Sequence, residues 1–135
     1  MEEIIIKADK SNLESILSKI EKSLSNYEIS IKSKLQLEIA IEEIFVNISN
    51  YAYEDGIGDV RIEYFIDENP LSINIRFIDE GFEFNPLEVS SPDTSLSAED
   101  RDIGGLGLVL VRKNIDSISY EYKDNQNILT IKKLF

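Results

Sequence analysis

The chain has 135 residues, enough for one domain with a real hydrophobic core and too few for a catalytic domain plus a separate partner domain. Its 42% hydrophobic and 30% charged residues suit a globular chain, no apolar run nears the roughly 18 residues of a membrane span, and a net charge of −12 opposes binding to DNA or RNA. With no cysteine and no histidine, disulfides, thiolate nucleophiles, Cys/His zinc sites, serine-histidine triads and phosphohistidine relays are all excluded.

The opening stretch from Met1 to Ile6 is acidic and then β-branched, with no basic segment, long apolar segment or small-residue cleavage site, so a cytoplasmic location is expected. Residues Glu2 to Ala8 read as a strand that runs into a helix cap at Asp9-Lys10-Ser11-Asn12. Leu13, Ile16, Leu17, Ile20 and Leu24 then recur at spacings of three and four, which predicts an amphipathic helix to about Asn26. A longer helix is predicted from near Ser30 to about Tyr53, stopped by Glu54-Asp55-Gly56-Ile57-Gly58. Alternation over Asp59–Phe65 and Leu71–Asp79, around the turn Asp67-Glu68-Asn69-Pro70, predicts an antiparallel hairpin. Residues Glu80 to Ile103 show neither period and read as a long loop, a length that usually marks a functional lid or disorder. A glycine turn, Gly104 to Gly107, is expected to open a helix from Leu108 to about Ile115, and Ile118–Tyr122 with Ile128–Lys132 closes the chain as a second hairpin. The order β-α-α-β-β-loop-α-β-β suits an α+β two-layer sandwich: a mixed, largely antiparallel sheet with helices on one face, spanning residues 1–135 as a single domain.

On a wheel of about 100° per residue, the second helix gathers Leu37, Ala40, Ile41, Ile44, Ile48 and Tyr51 on a core face. Gln36, Glu43, Asn47 and Asn50 form a second, narrow polar stripe bordered by Ile39 and Val46. Polar groups wedged between apolar strips require partners, because each unpaired one costs roughly 1–3 kcal/mol. Glu43 and Asn47 are i,i+4 neighbours, so one metal-nucleotide complex can meet both. Asn47 offers an amide oxygen to Mg²⁺ and Glu43 a general base for an attacking hydroxyl; a buried hydrogen-bond network of no catalytic consequence explains the same spacing. Asp79, ending an apolar strand ahead of Glu80-Gly81, can accept from an adenine amino group or can simply form an Asx turn. Gly104-Gly105-Leu106-Gly107-Leu108, at a helix start, can turn backbone N–H groups toward phosphates or serve as a lid hinge. Those local donors and a cation are what an anionic ligand needs on so acidic a chain. Arg101 suits either a phosphate contact or a solvated surface position.

In this order the pieces resemble the GHKL ATPase superfamily: Ile41-Glu42-Glu43-Ile44-Phe45-Val46-Asn47 is similar to its N box, Ile78-Asp79-Glu80-Gly81 to its first glycine box and Gly105-Leu106-Gly107-Leu108 to its second. Nearly the whole chain resembles the RsbW/SpoIIAB-like branch of bacterial anti-sigma-factor serine/threonine kinases, through Phe84-Asn85-Pro86-Leu87, Arg101 to Leu108, Val111-Arg112-Lys113 with Asp116, and Asn127-Ile128-Leu129-Thr130. The resemblance implies a Bergerat ATP-binding fold with a lid over about 80–104. It also implies ATP and Mg²⁺ as cofactors, Glu43 as catalytic base, Asn47 on the metal, Asp79 on adenine, and Thr130 assisting there. Asn50, Gly81, Arg101 and the segment from Gly104 to Leu108 complete the expected cofactor site. The implied partners are an anti-sigma antagonist as phosphorylation substrate, a sigma factor, and a second copy of the chain; the alternative is a module that binds ATP and sequesters a protein without catalysis. Two departures stand out: Asp79-Glu80-Gly81-Phe82-Glu83 lacks the second glycine of Asp-x-Gly-x-Gly, and Tyr51 stands where the branch often carries His. With no histidine and no helix pair ahead of the ATP-binding segment, a histidine autokinase is not expected.

Overall fold

The structure, a computed structural model, describes residues 1–53, 58–88 and 103–135, with side chains described throughout except at 103–107. Among the described residues five strands and three α-helices follow the expected order. Strand β1 (Glu2–Lys7) leads into a short 3-10 turn at Lys10–Asn12, where Asp9 Oδ1 accepts from the Ser11 backbone N–H at 2.9 Å and its hydroxyl at 3.0 Å. That cap satisfies N–H groups that a helix start leaves without intrahelical partners. Helix α1 (Leu13–Leu24) follows and buries Ile16, Ile20 and Leu24, one residue per turn. Helix α2 (Ile31–Tyr51) starts at Ser30, whose side chain accepts from Ser33 N–H at 3.1 Å, and buries Leu37, Ala40, Ile41, Ile44 and Phe45.

Strands β2 (Asp59–Glu68) and β3 (Leu71–Asp79) form the first hairpin. Helix α3 (Ile103–Asn114) precedes the second, made by β4 (Ser117–Lys123) and β5 (Gln126–Leu134). Asp124 and Asn125, at φ of 54° and 61°, make its two-residue connection. Residues with positive φ give a turn whose twist matches that of the strands, and Asp and Asn tolerate this region best among residues bearing a Cβ.

The sheet order is β1-β2-β3-β5-β4, and every neighbouring pair is antiparallel. The expectation of a mixed sheet is corrected on this point. The chain passes through α3 from β3 to β4, which run in the same direction, but β5 lies between them, so no parallel ladder forms. A second correction concerns the glycines: Gly104 to Gly107 do not precede the helix but form its first turns, since α3 already begins at Ile103.

One face of the sheet carries the core. Val60, Ile62 and Tyr64 on β2, Ile73, Ile75 and Phe77 on β3, and Leu129 and Ile131 on β5 alternate inward and pack with the buried residues of α1, α2 and α3 in one cluster. The result is a two-layer α+β sandwich with helices on one side, as the pattern predicts. Among the described residues no helix is long and apolar enough to cross a membrane.

Phe45, fully buried, lies at the centre of this cluster although it stands outside the stripe expected from the helical wheel. Phe45→Ala should destabilise the protein by about 3–5 kcal/mol, through lost transfer energy and an unfilled cavity. Urea unfolding checks this as a lower midpoint at an unchanged slope.

Candidate functional site

The inward row of β3 runs Ile73, Ile75, Phe77 and then Asp79, so the same alternation that builds the core carries a carboxylate into it at the strand end. Asp79 is 6% exposed. Its Oδ1 accepts from the Gly81 backbone N–H at 2.9 Å and from Asn127 Nδ2 at 3.0 Å. Asn127 faces Asp79 directly in the β3–β5 register. Burial raises the Asp79 pKa above its ordinary value, and the hydrogen bonds from Asn127 and Gly81 partly counter that rise by favouring the charged form.

Asp79 lies on the wall of a cavity of about 260 Å³. Asn47, Ile48 and Tyr51 of α2, Phe82 and Phe84 beyond β3, Leu108 and Val111 of α3, and Tyr120 and Asn127 of the β4–β5 hairpin also line it. The walls are mostly apolar, with a few polar groups converging, which is the usual make-up of a small-molecule site. Phe82 and Phe84 meet edge to face with centroids 6.2 Å apart at the mouth. Tyr53 braces the rim from behind. Its hydroxyl donates to the Asp59 carbonyl at 2.6 Å and accepts from the Glu80 N–H at 2.9 Å, joining the start of β2 to the end of β3.

Of the residues singled out in the sequence, Asn47, Asp79 and Leu108 line this cavity. Glu43 is half-buried on α2, one turn before Asn47, and is not among the lining residues. Asn50 is exposed and is not among the lining residues. Gln36, from the same polar stripe, accepts from Lys133 Nζ at 2.8 Å, which gives it a structural partner. Gly104, Gly105, Leu106 and Gly107 contribute backbone to the first turns of α3. Arg101 and the lid residues 89–102 lie outside the described residues.

Thr130 is not on the cavity side. In β5 the inward row is Asn127, Leu129, Ile131 and Lys133, so Thr130 points to the opposite sheet face, beside Glu63, Asn74 and Arg76. Gly81 also has a structural reason of its own: a Cβ there would lie 2.1 Å from the Ala52 carbonyl oxygen at the end of α2. Asn127, which the sequence reading carries only within Asn127-Ile128-Leu129-Thr130, and Tyr120, which it carries only as a strand residue, both line the cavity. The signal for Asn127 was available as a polar residue in phase with Leu129 and Ile131.

For a magnesium nucleotide the donor set is suitable in kind. Asn47 brings one neutral oxygen donor to the cavity, and no group of three or more metal-binding side chains exists among the described residues. Mg²⁺ is commonly held by few protein ligands together with phosphate oxygens and water.

The architecture and this pocket define the class: a GHKL-type fold, with an aspartate at the end of a central strand facing an asparagine-bearing helix. The chain belongs to the histidine kinase-like ATPase domain family, which it matches over residues 6–133. It is similar to the serine-protein kinases RsbW of Bacillus thuringiensis strain Al Hakam, Bacillus cereus strain AH820 and Bacillus anthracis strain CDC 684, with 32% identity over 98 residues in each case. Those matches cover 71% of this chain and 61% of each relative. A solved structure of the RsbU and RsbW domains of a Mycobacterium tuberculosis protein shares the fold, with a TM-score of 0.64 and 12% identity. It covers 99% of this chain and 32% of that one. The resemblance to the GHKL superfamily and its RsbW-like branch therefore holds.

The raised pKa of Asp79 has a stability consequence with a definite sign. The folded state holds the Asp79 proton more tightly than the unfolded state, so this group's contribution falls as pH rises from the ordinary aspartate value, 3.8, through its higher folded value. Asp79→Asn keeps an oxygen acceptor and removes the charge. Its melting temperature relative to wild type should therefore climb across that window and level off above it, as thermal unfolding at a series of pH values would register; a constant difference would contradict the assignment.

Proposed function

We propose that this chain binds Mg-ATP in the cavity and acts as a serine/threonine protein kinase of the anti-sigma-factor type. On this reading its substrate is an anti-sigma antagonist protein, and the chain holds a sigma factor when that antagonist is phosphorylated. The observation that carries the reading is the buried Asp79 carboxylate, one oxygen engaged by the protein, set in an apolar cavity that Asn47 also lines. A fixed acceptor in an apolar slot suits a flat base bearing an amino group, and leaving it unpaired when such a base is absent gives discrimination. The naming of the Bacillus relatives as serine-protein kinases supports the phosphoryl-transfer part.

In this mechanism Asp79 accepts the exocyclic amine of adenine, and Phe82, Phe84 and Leu108 exclude water from the base. The backbone N–H groups at the start of α3 meet the phosphates, supplying the local positive potential that a chain of charge −12 lacks. Asn47 would hold the Mg²⁺, which would neutralise phosphate charge when the nucleotide is bound. Glu43, one helical turn from Asn47, accepts the proton of the partner's serine hydroxyl as its oxygen bonds to the γ-phosphorus and the bond from that phosphorus to the β–γ bridging oxygen breaks, releasing ADP. A homodimer acting in the cytoplasm completes the proposal.

Glu43's position outside the cavity lining favours a second reading, in which nucleotide occupancy alters a partner-binding surface and no phosphoryl group moves. Transfer of a radiolabelled γ-phosphate to the cognate antagonist separates the two. Under the kinase reading Glu43→Ala lowers the transfer rate about a hundredfold or more while ATP affinity is kept. Full retention of transfer would remove Glu43 as the base. A wild-type protein that transfers nothing, yet binds its partner more tightly with ATP than without, would establish the switch.

A further inference from the structure

We propose that Asn127 is a positioning residue for the nucleotide base: a carboxamide clamp that fixes the Asp79 carboxylate in one orientation and ties the Phe82–Phe84 wall to the same point. The proposal rests on the ATP-binding reading above and adds to it the residue that sets base preference.

Asn127 is 7% exposed. Its Nδ2 donates to Asp79 Oδ1 at 3.0 Å and to the Phe82 carbonyl at 2.9 Å, with a longer approach of 3.4 Å to the Gly81 carbonyl. Its Oδ1 accepts from the Phe84 backbone N–H at 3.2 Å and from the Tyr120 hydroxyl. Two amide hydrogens and two carbonyl lone pairs are thus all engaged. The partners also dictate which way the amide points. Reversed, its oxygen would face a carboxylate and two carbonyls, and its NH₂ would face the Phe84 N–H. No other rotation about the terminal bond satisfies the set.

The effect on Asp79 is specific. Oδ1 receives two donors, from Gly81 and Asn127, so among the described residues Oδ2 is the oxygen left for an incoming donor in the cavity that Asp79 lines. An ionised carboxylate only accepts, so it matches the amino edge of adenine and opposes the carbonyl that guanine presents at the corresponding place. The same side chain holds the backbone at Phe82 and Phe84, whose rings line the cavity mouth. Polar recognition and apolar enclosure of the base are thereby set from one point on β5.

The test uses the whole chain, with ATP and GTP as probes in parallel titrations of wild type, Asn127→Ala and Asn127→Asp, and a thermal melt of each to establish folding. Asn127→Ala is expected to bind ATP about tenfold or more weakly and to lose most of its preference for ATP over GTP. Asn127→Asp sets a second carboxylate against Asp79. At low pH the pair shares a proton that stands in for the missing N–H, and as pH rises the proton leaves and the two groups repel. Its ATP affinity relative to wild type should therefore fall progressively as pH rises above the ordinary aspartate value, 3.8, a dependence that a merely structural role would not produce.

Amide hydrogen exchange on the nucleotide-free protein gives an independent readout. The Phe84 amide should be protected in wild type and in Asn127→Asp, which keeps an oxygen acceptor, and should exchange faster in Asn127→Ala. If wild type binds ATP and the folded Asn127→Ala matches it in affinity, preference and Phe84 protection, the clamp is overturned and the ATP reading stands. A loss in Asn127→Asp that does not change with pH also overturns it. If folded wild type binds neither nucleotide, the ATP reading falls, and base positioning with it.

Discussion

A carboxylate carried into an apolar core must be satisfied from within the fold, and the arrangement around Asp79 follows from that constraint. The two-residue alternation of β3 leaves no freedom: a strand that buries Ile73, Ile75 and Phe77 buries Asp79 as well. Register then brings Asn127 opposite, and the tight turn at Gly81 returns a backbone N–H to the same oxygen. Gly81 can make that turn only because it has no side chain to strike the Ala52 carbonyl at the end of α2. The core, the β3–β5 ladder and the end of α2 therefore all converge on one carboxylate. Its raised pKa records the desolvation that the hydrogen bonds only partly counter.

Such a site has the character of a functional one. Burial of Asp79 opposes stability at neutral pH, and among the described residues only its Oδ1 is engaged by the protein. The surrounding elements are comparatively conventional: capped helices, a two-residue hairpin turn, and a single core cluster shared by three helices and one sheet face. Asp79 and its neighbours depart from those local rules, as residues at functional sites commonly do.

Much of this was legible in the sequence. Among the described residues periodicity places each helix and strand, apart from the start of α3, to within about three residues, because amphipathic spacing and strand alternation are dictated by which face is buried. Less visible was which face a given residue occupies once strands are paired. Thr130 and Asn127 lie three residues apart in the same strand, and motif order alone favoured Thr130. Only the phase of Asn127 with Leu129 and Ile131 shows that Asn127 is the one turned inward. Gly81 illustrates a related gap: the residue type indicated close approach, but nothing in the sequence says that the approaching group is the protein's own Ala52 carbonyl. The glycines at 104, 105 and 107 suggested a turn before α3, yet the helix begins at Ile103, since glycine's low helix propensity is readily overridden by tertiary context. Phe45 lies outside the predicted stripe because the buried arc of α2 is wider than a single stripe.

The central claim is that Asp79 and Asn47 together make this cavity a Mg-ATP site. Calorimetric titration of ATP into wild type, with and without Mg²⁺, alongside Asp79→Asn and Asn47→Ala in the same buffer, tests it most directly. The account predicts metal-dependent binding to wild type, none to a folded Asp79→Asn, and loss of the metal dependence in Asn47→Ala. A folded wild-type protein that takes up no ATP, or an Asp79→Asn variant that binds as wild type does, would contradict it.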